Sequence, residues 1–310
     1  MYRVGRPVLG TDGASAADLV AHGGRDGAAG PGERDEADDC GESDAGAIAG
    51  IVDEMRVRTG IEFGHYRPAT LERRIRNRMI LAGVASLPDY LERLRADGGE
   101  AASLLERLTI KVSRFYRNAY TFDQLSKLAI PRLAADAGGP LRLWCAGCGR
   151  GEEAYTLAML LHEAGVDGSV LATDIDGCAL AEARQGRYPE GALIELPGRL
   201  RERYLRPVDG GGRRCYEVDE ALRARVRFAV HDLLAGMPPC PAAFHLVSCR
   251  NVVIYFAPSA QRRAFDTLQQ ALAPGAFMCL GEAEWPDAEL ASVLRAVGCK
   301  TRVFRFEGSA

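Results

Sequence analysis

The sequence predicts an α/β protein: a mostly parallel sheet covered by helices on both faces, preceded by a small all-helical domain and interrupted by a small β insertion. Three observations predict it. From Pro140 onward, short apolar runs alternate with amphipathic segments, the order that lays helices over both faces of a parallel sheet. Ahead of that point, residues 47–130 carry helical periodicity alone. Residues 187–224, with Gly210-Gly-Gly212, several arginines and two short strand-like pieces near Tyr204 and Cys215, break the alternation and read as an inserted β subdomain.

The elements follow in order. Residues 1–46 hold ten glycines, one aromatic (Tyr2) and an acidic run from Glu33 to Asp44, a composition that cannot bury enough surface to offset ordering and predicts a disordered tail. Ile48, Ile51, Val52 and Met55 form the apolar face of a first helix. Thr70 is the expected N-cap of a second, in which Leu71, Ile75, Met79 and Ala82 share a stripe. Two more amphipathic segments run from Leu87 to Leu94 and from Ala101 to Leu108. In the second domain, residues 131–310, strands are expected at Leu141–Ala146, Ser169–Asp174, Val226–Asp232, Phe244–Cys249, Phe277–Leu280 and Thr301–Phe306. Helices are expected at Tyr155–Ala164, Ala179–Gln185, Ser259–Leu272 and Ala288–Ala296.

A chain of 310 residues with 47% hydrophobic content can build two domains with a sizeable core. The formal charge of −3 argues against nucleic acid as the partner. No apolar run approaches the ~20 residues needed to cross a bilayer, so no membrane insertion is expected. With no apolar block at its start, the chain is expected to be cytoplasmic. Nine scattered cysteines fit reduced thiols. Cys145 and Cys148 form a C-x-x-C without a second ligand pair, so buried thiols are expected and no metal site.

The richest stretch is Leu141-Arg-Leu-Trp-Cys-Ala-Gly-Cys-Gly-Arg-Gly-Glu-Glu-Ala-Tyr155, a strand, a turn with Gly147, Gly149 and Gly151, two carboxylates and a helix. Glycine tolerates positive φ and lets a ligand approach the backbone. The spacing is not that of a dinucleotide fold, and no phosphate-loop Gly-Lys-Ser/Thr follows. Carboxylates at the helix entrance would repel a pyrophosphate and suit a cofactor with a cation, which points to S-adenosylmethionine. Asp174, at the end of the next strand, is placed to accept from two ribose hydroxyls.

Three further groups complete the pattern: Ser113-Arg-Phe-Tyr-Arg117, Asp232-Leu233 and Cys249-Arg-Asn-Val-Val-Ile-Tyr-Phe256. With the Gly-Glu-Glu helix entry and the Ala-Thr-Asp-Ile-Asp strand end, they make the chain resemble the chemotaxis receptor methyltransferases (CheR-type protein-glutamate O-methyltransferases) from about Ile48 to Phe306. The resemblance implies a Rossmann-like S-adenosylmethionine-dependent methyltransferase sheet, with S-adenosylhomocysteine as product. It implies that Lys111, Ser113, Arg117, Gly147, Glu153, Asp174, Asp232, Leu233, Arg250 and Asn251 hold the cofactor. Among these, Glu153 would meet the methionyl ammonium, Asp174 the ribose, and Asp232 and Leu233 the adenine. Arg117 and Tyr255 would be the catalytic residues beside the transferred methyl. Departures from the family pattern are Lys111 for a polar amide, Ser113 for threonine, Asp232 for asparagine and Ala276 for a second glycine.

The implied partner is the cytoplasmic helical domain of chemoreceptors. Arg67, Arg73, Arg74, Arg76 and Arg78 make the second helix strongly basic; by itself a solvated face would account for them, and beside the resemblance they become a docking surface for an acidic helical bundle. In some family members the β insertion binds a receptor's C-terminal peptide. A glutamate acceptor is already ionised at neutral pH, so no general base is required. The rival reading is a signalling module that binds cofactor or receptor without turnover.

Overall fold

The protein, seen as a computed structural model, is described over residues 36–109, 113–241, 243–298 and 301–308. Four helices, α1 (Glu36–Thr59), α2 (Pro68–Leu81), α3 (Leu87–Ala96) and α4 (Glu100–Leu108), form the N-terminal unit. Their apolar stripes converge on one core in which Ile51, Met55, Phe63, Ile75, Tyr90, Leu94 and Leu104 have no exposed surface.

Helix α1 begins at Glu36, so residues 36–46, expected in a disordered tail, are helical. Asp44, within this stretch, has an ion-pair partner in Arg76 at 2.9 Å, a gain that composition does not show. The rest of the expected tail lies outside the described residues. Thr70 is not the cap of α2; Arg67 holds that position and Pro68 opens the helix, its fixed φ being preorganised for a first turn.

The second unit opens with α5 (Ala119–Gln124) and α6 (Ile130–Asp136), joined through a π-helical turn at Leu125–Ala129. Phe122, Leu125, Ile130 and Leu133 pack into the core of the sheet, not into the helical domain. The break between the two packing units therefore falls just after α4, not near residue 130.

Then follow β1 (Leu141–Ala146), α7 (Glu152–Glu163), β2 (Gly168–Asp174), α8 (Gly177–Gln185), β3 (Arg187–Pro189), α9 (Gly198–Tyr204), β4 (Leu205–Asp209), β5 (Arg214–Val218), α10 (Glu220–Arg223) and β6 (Val226–Val230). The chain ends with β7 (Phe244–Cys249), α11 (Pro258–Ala271), β8 (Leu272–Leu280), α12 (Ala288–Ser292), β9 (Leu294–Ala296) and β10 (Val303–Phe306). Seven strands form one sheet in the order β6-β2-β1-β7-β8-β10-β9. The first five run parallel, and β10 is antiparallel to both β8 and β9. β3, β5 and β4 form the separate antiparallel sheet of the insertion.

One segment departs from its expected helix. Leu294–Ala296 is a strand, because pairing with β10 covers an edge that would otherwise present free amides and carbonyls.

After β1 the chain moves outward to β2 and β6; at β7 it returns to the other side of β1. A crevice opens above the carboxyl ends of β1 and β7 at that reversal, the place where open α/β sheets receive ligands. The helical domain leans over it. Tyr66 and Phe256 form an antiparallel bridge, the Arg67 amide donates to the Tyr255 carbonyl at 2.9 Å, and the Ala257 amide donates to the His65 carbonyl at 2.9 Å. At the far side the Thr109 hydroxyl donates to Asp176 Oδ2 at 3.0 Å.

Candidate active site

The crevice holds about 1180 Å³ of empty space, its open mouth included. It is lined by Ser113, Arg117, Gly147, Glu153, Asp174, Asp232, Leu233, Arg250, Asn251 and Tyr255. Ten of the eleven expected site residues thus meet in one cleft, although they come from five separate stretches of the chain. Lys111 lies outside the described residues.

The glycine turn makes the first wall. Gly147 has φ +69°, and a Cβ there would lie 2.3 Å from Val252 Cγ2, so only glycine lets the turn after β1 meet the turn after β7. The Gly149 amide donates to Asp174 Oδ2 at 2.7 Å and the Asp176 amide to Asp174 Oδ1 at 2.9 Å. Both oxygens are fixed in direction by the two turns they tie together.

Glu153 is the centre of the second wall. Its Oε1 accepts from the Ser248 hydroxyl at 2.6 Å, and its Oε2 lies 3.0 Å from Arg250 Nη1. Arg250 Nη2 donates to the carbonyl of Arg117 and to Asn118 Oδ1, both at 2.8 Å. Its guanidinium also rests over the Phe122 ring, 4.9 Å from the centroid. Burial alone would lower the Arg250 pKa; the Glu153 carboxylate more than offsets it, so the net shift is upward and the guanidinium stays charged. Arg250, expected to close the pocket, builds its wall by bracing Glu153 and the main chain of Arg117.

Three non-glycine residues among those described have left-handed backbones: Tyr116 (φ 62°), Asn118 (φ 65°) and Asn251 (φ 60°). Two flank Arg117 and the third follows Arg250. Such conformations persist only where surrounding bonds over-determine them. The Asn118 amide donates to Glu195 Oε2 at 2.8 Å, which ties the Arg117 segment to the insertion.

At Tyr255 the two domains touch. Arg74 lies over its ring, 5.4 Å from the centroid, and Arg74 Nη1 donates to the carbonyls of Arg107 and Leu108 at 2.9 Å each. Burial pushes the Tyr255 phenol up, while Arg74 and Arg117 pull it down.

The remaining arginines of α2 are less available than their sequence suggests. Arg78 makes a bidentate pair with Glu100, at 2.8 and 2.7 Å, and Tyr90 donates to the same carboxylate at 2.6 Å. Arg76 pairs with Glu72 and Asp44, both at 2.9 Å. Arg67 Nε donates to the Phe256 carbonyl at 3.3 Å. Arg73 is exposed and has no hydrogen bond or ion pair among the described residues. The periodic pattern showed a basic face but not the distant acids, Asp44 and Glu100, that pair with Arg76 and Arg78, nor the carbonyls that engage Arg67 and Arg74.

Several lining residues escaped the sequence reading: Glu62, Tyr66, Thr109, Cys148, His231 and Val252. Tyr66 is wedged between Phe63 and Phe256, with ring centroids at 5.3 and 5.2 Å. Burial raises its phenol pKa first, and the charges of Asp174 and Asp232 add to the rise. An aromatic residue before a helix carries no chemical signature in sequence. His231 Nε2 is bonded to the Met237 carbonyl at 2.9 Å, and burial pushes the Cys148 and Cys145 thiols well up. No metal-binding group of His, Cys, Asp and Glu occurs among the described residues.

Four carboxylates (Glu62, Glu153, Asp174 and Asp232) and two arginines around one cleft suit a cationic ligand that carries hydroxyls and a carboxylate of its own, the chemistry of S-adenosylmethionine. Comparison with known proteins agrees. Residues 47–109 match the model of the CheR methyltransferase all-alpha domain, and residues 111–302 that of the CheR methyltransferase SAM binding domain. An "Uncharacterized 104.1 kDa protein in hypE 3'region" of Rhodobacter capsulatus is 37% identical over 77% of this chain, which spans only 25% of that protein. The "Chemotaxis protein methyltransferase" of Listeria monocytogenes is 31% identical, over 73% of this chain and 84% of its own length. A "Probable chemotaxis protein methyltransferase" of Rhizobium etli is also 31% identical, over 77% and 90% respectively. With both domain models matched in order, the chain belongs to the CheR methyltransferases, a family of S-adenosylmethionine-dependent enzymes.

Proposed function

We propose that this chain methylates glutamate side-chain carboxylates on the cytoplasmic helical domain of chemoreceptors, giving methyl esters for sensory adaptation. One observation carries the choice of acceptor. The cleft presents Arg117 and Tyr255, which suit an anionic acceptor, and its Cys148 thiol is buried and held neutral, so it supplies no nucleophile. An acceptor that is ionised beforehand needs no base at the site, and a glutamate with a pKa of about 4.3 is one.

S-adenosylmethionine supplies, when bound, a methyl group on a sulfonium. The chain's residues do the rest. Glu153 takes the amino-acid ammonium, Ser113 and Arg117 its carboxylate end, Asp174 the ribose, and Asp232 with Leu233 the adenine. Arg250 and Asn251 hold these groups in place. Arg117 would orient the acceptor carboxylate and Tyr255 would line its approach, so that the carboxylate is presented to the transferable methyl. The helical domain, bridged to Phe256, excludes water from two opposite charges that cancel as the reaction proceeds. Arg117 must orient without binding the carboxylate too tightly, since ground-state stabilisation would raise the barrier.

On the surface, Arg73 and the partly free Arg67 are the docking cations for an acidic receptor helix. A cytoplasmic setting follows from such a partner; no described helix is long and apolar enough to cross a membrane.

The test is transfer of labelled methyl from S-adenosylmethionine to a receptor cytoplasmic fragment, followed by mild base. Label released as methanol identifies a carboxyl methyl ester. Cofactor binding without transfer to any of several receptor fragments would overturn the acceptor assignment and favour a binding module.

A further inference from the structure

The turn that carries Arg250, Asn251 and Tyr255 is held from outside by a residue to which no role attaches so far. Glu284, in the loop after β8, is 3% exposed. Its Oε2 accepts from the amides of Asn251 at 2.9 Å and Gly281 at 2.6 Å. Its Oε1 accepts from the amides of Val252 at 2.8 Å and Val253 at 2.9 Å. Four main-chain donors thus converge on one buried carboxylate. Three are consecutive and stand at the start of the 3-10 turn Val253–Tyr255, where amides lack partners within the turn itself.

From this geometry we infer that Glu284 is a positioning residue for the cofactor and acceptor sites, holding Asn251 in its left-handed conformation and setting where Tyr255 points. The inference rests on the cofactor reading above. Asparagine tolerates a left-handed backbone better than most residues but less readily than glycine, and the bonds to amides 251, 252 and 253 hold it there. Gly281 makes the approach feasible: a Cβ there would lie 2.6 Å from Glu284 Oε2 and 2.8 Å from the Asn251 nitrogen. The carboxylate of Glu284, the amide of Asn251 and the absent side chain of Gly281 are therefore one fitted contact.

Only a carboxylate satisfies this site. An amide of the same shape would turn an NH2 toward two N–H donors in either orientation. Glu284→Gln is consequently isosteric yet breaks two of the four bonds. The experiment measures S-adenosylhomocysteine binding by calorimetry and steady-state transfer for the full chain and three variants, at a temperature where circular dichroism shows all of them folded. Glu284→Gln is expected to bind roughly tenfold or more weaker and to lose kcat as well. Gly281→Ala, which pushes the same contact apart from the other side, is expected to do likewise. Leu290→Ala is the control; it removes a buried side chain of α12 that does not line the cleft, and should lower Tm while leaving binding within about twofold. If Glu284→Gln and Gly281→Ala lower Tm but bind and turn over as the control does, Glu284 is merely structural and the inference falls. Wild-type protein that fails to bind S-adenosylhomocysteine would instead remove the cofactor reading on which it stands.

Discussion

Arg250 Nη1 and Glu153 Oε2 lie 3.0 Å apart, and the guanidinium side chain is 1% exposed. Neither partner is a surface ion pair of the weak kind, and each also serves a second wall: Ser248 for the carboxylate, the Arg117 carbonyl and Asn118 for the guanidinium. Removing one partner of such a pair leaves the other charge buried without compensation, which costs about 3–5 kcal/mol. Arg250→Met should therefore lower unfolding stability by that order and abolish detectable S-adenosylhomocysteine binding. Glu153→Gln keeps the shape and should be milder in stability than in affinity. Urea unfolding with calorimetry on both variants checks this; equal loss of stability and unchanged affinity would refute the bracing role.

The turn between β1 and α7 makes a second prediction. Gly147→Ala places a Cβ at positive φ, costing about 1–2 kcal/mol, and drives it into Val252. Adding Val252→Ala removes the clash but not the backbone penalty. The double variant should thus regain part, never all, of the stability and cofactor affinity that Gly147→Ala loses. Full recovery would mean that the left-handed backbone contributes nothing.

Glu152, beside the catalytic cleft but not in it, predicts a pH dependence of stability. It is 4% exposed, its Oε2 has no partner among the described residues, and burial pushes its pKa up to about 7. A carboxyl whose pKa is higher folded than unfolded contributes stability that is fully present below the unfolded value near 4.5 and is lost as pH rises through about 7. A shift of this size corresponds to roughly 3 kcal/mol, an upper bound because the α7 N-terminus favours the ionised form. Glu152→Gln should accordingly stabilise the protein at pH 8 and change little at pH 4.5, which Tm measurements across that range will show. The reverse order would mean that Glu152 is ionised at no cost.

What the sequence revealed and concealed follows a physical line. Glu153 and Asp174 were legible as candidates because each stands at a helix entrance or a strand end beside a glycine turn, a placement that neighbouring residues in the chain display. Glu284 also follows a strand, but its donors are amides some thirty residues away in the chain, and amides leave no trace in residue type. The partners of Arg74, Arg76 and Arg78 are likewise distant: the carbonyls of Arg107 and Leu108, Asp44 and Glu100. Periodicity reports which face a side chain occupies, not which charge meets it there. The parallel sheet was readable from alternation; the strand at Leu294–Ala296 was not, since three residues carry too little pattern to outweigh a preceding helix.

Arg78 and Arg73 separate structure from docking on one helix. Arg78 is bonded twice to Glu100, whose burial would raise its pKa but whose bonds from Arg78 and Tyr90 hold it below the usual value. Arg78→Ala should cost about 2–3 kcal/mol, less than a fully buried pair because the arginine keeps some solvent. Glu100's contribution is present above the unfolded carboxylate range and fades as pH falls through its lowered pKa, so the defect should shrink in acid. Arg73→Ala should leave Tm unchanged and weaken association with a receptor fragment, more at low salt than at high. Titrations at two ionic strengths, beside thermal melts, test the pair of expectations; a stability loss in Arg73→Ala would contradict its solvated position.

Arg74 stands between these cases, and it yields the last prediction. It caps the end of α4 through two carbonyls and lies over the Tyr255 ring, so it links α4 to the residue proposed to line the acceptor's approach. Burial lowers its pKa first, with Tyr255 opposing that, so its charge is partly withdrawn from solvent and poorly placed to dock a partner. Arg74→Lys keeps a cation but loses the planar fork needed to reach two carbonyls while stacking on a ring. We expect Arg74→Lys to lower kcat for methyl transfer, roughly tenfold for a lost ring contact and one carbonyl bond together. The KM for the receptor fragment should stay near that of wild type, because the docking surface is intact. A rise in receptor KM with kcat preserved would return Arg74 to the docking face, and Arg74→Ala, which also uncaps α4, should add a fall in Tm that the lysine variant does not show.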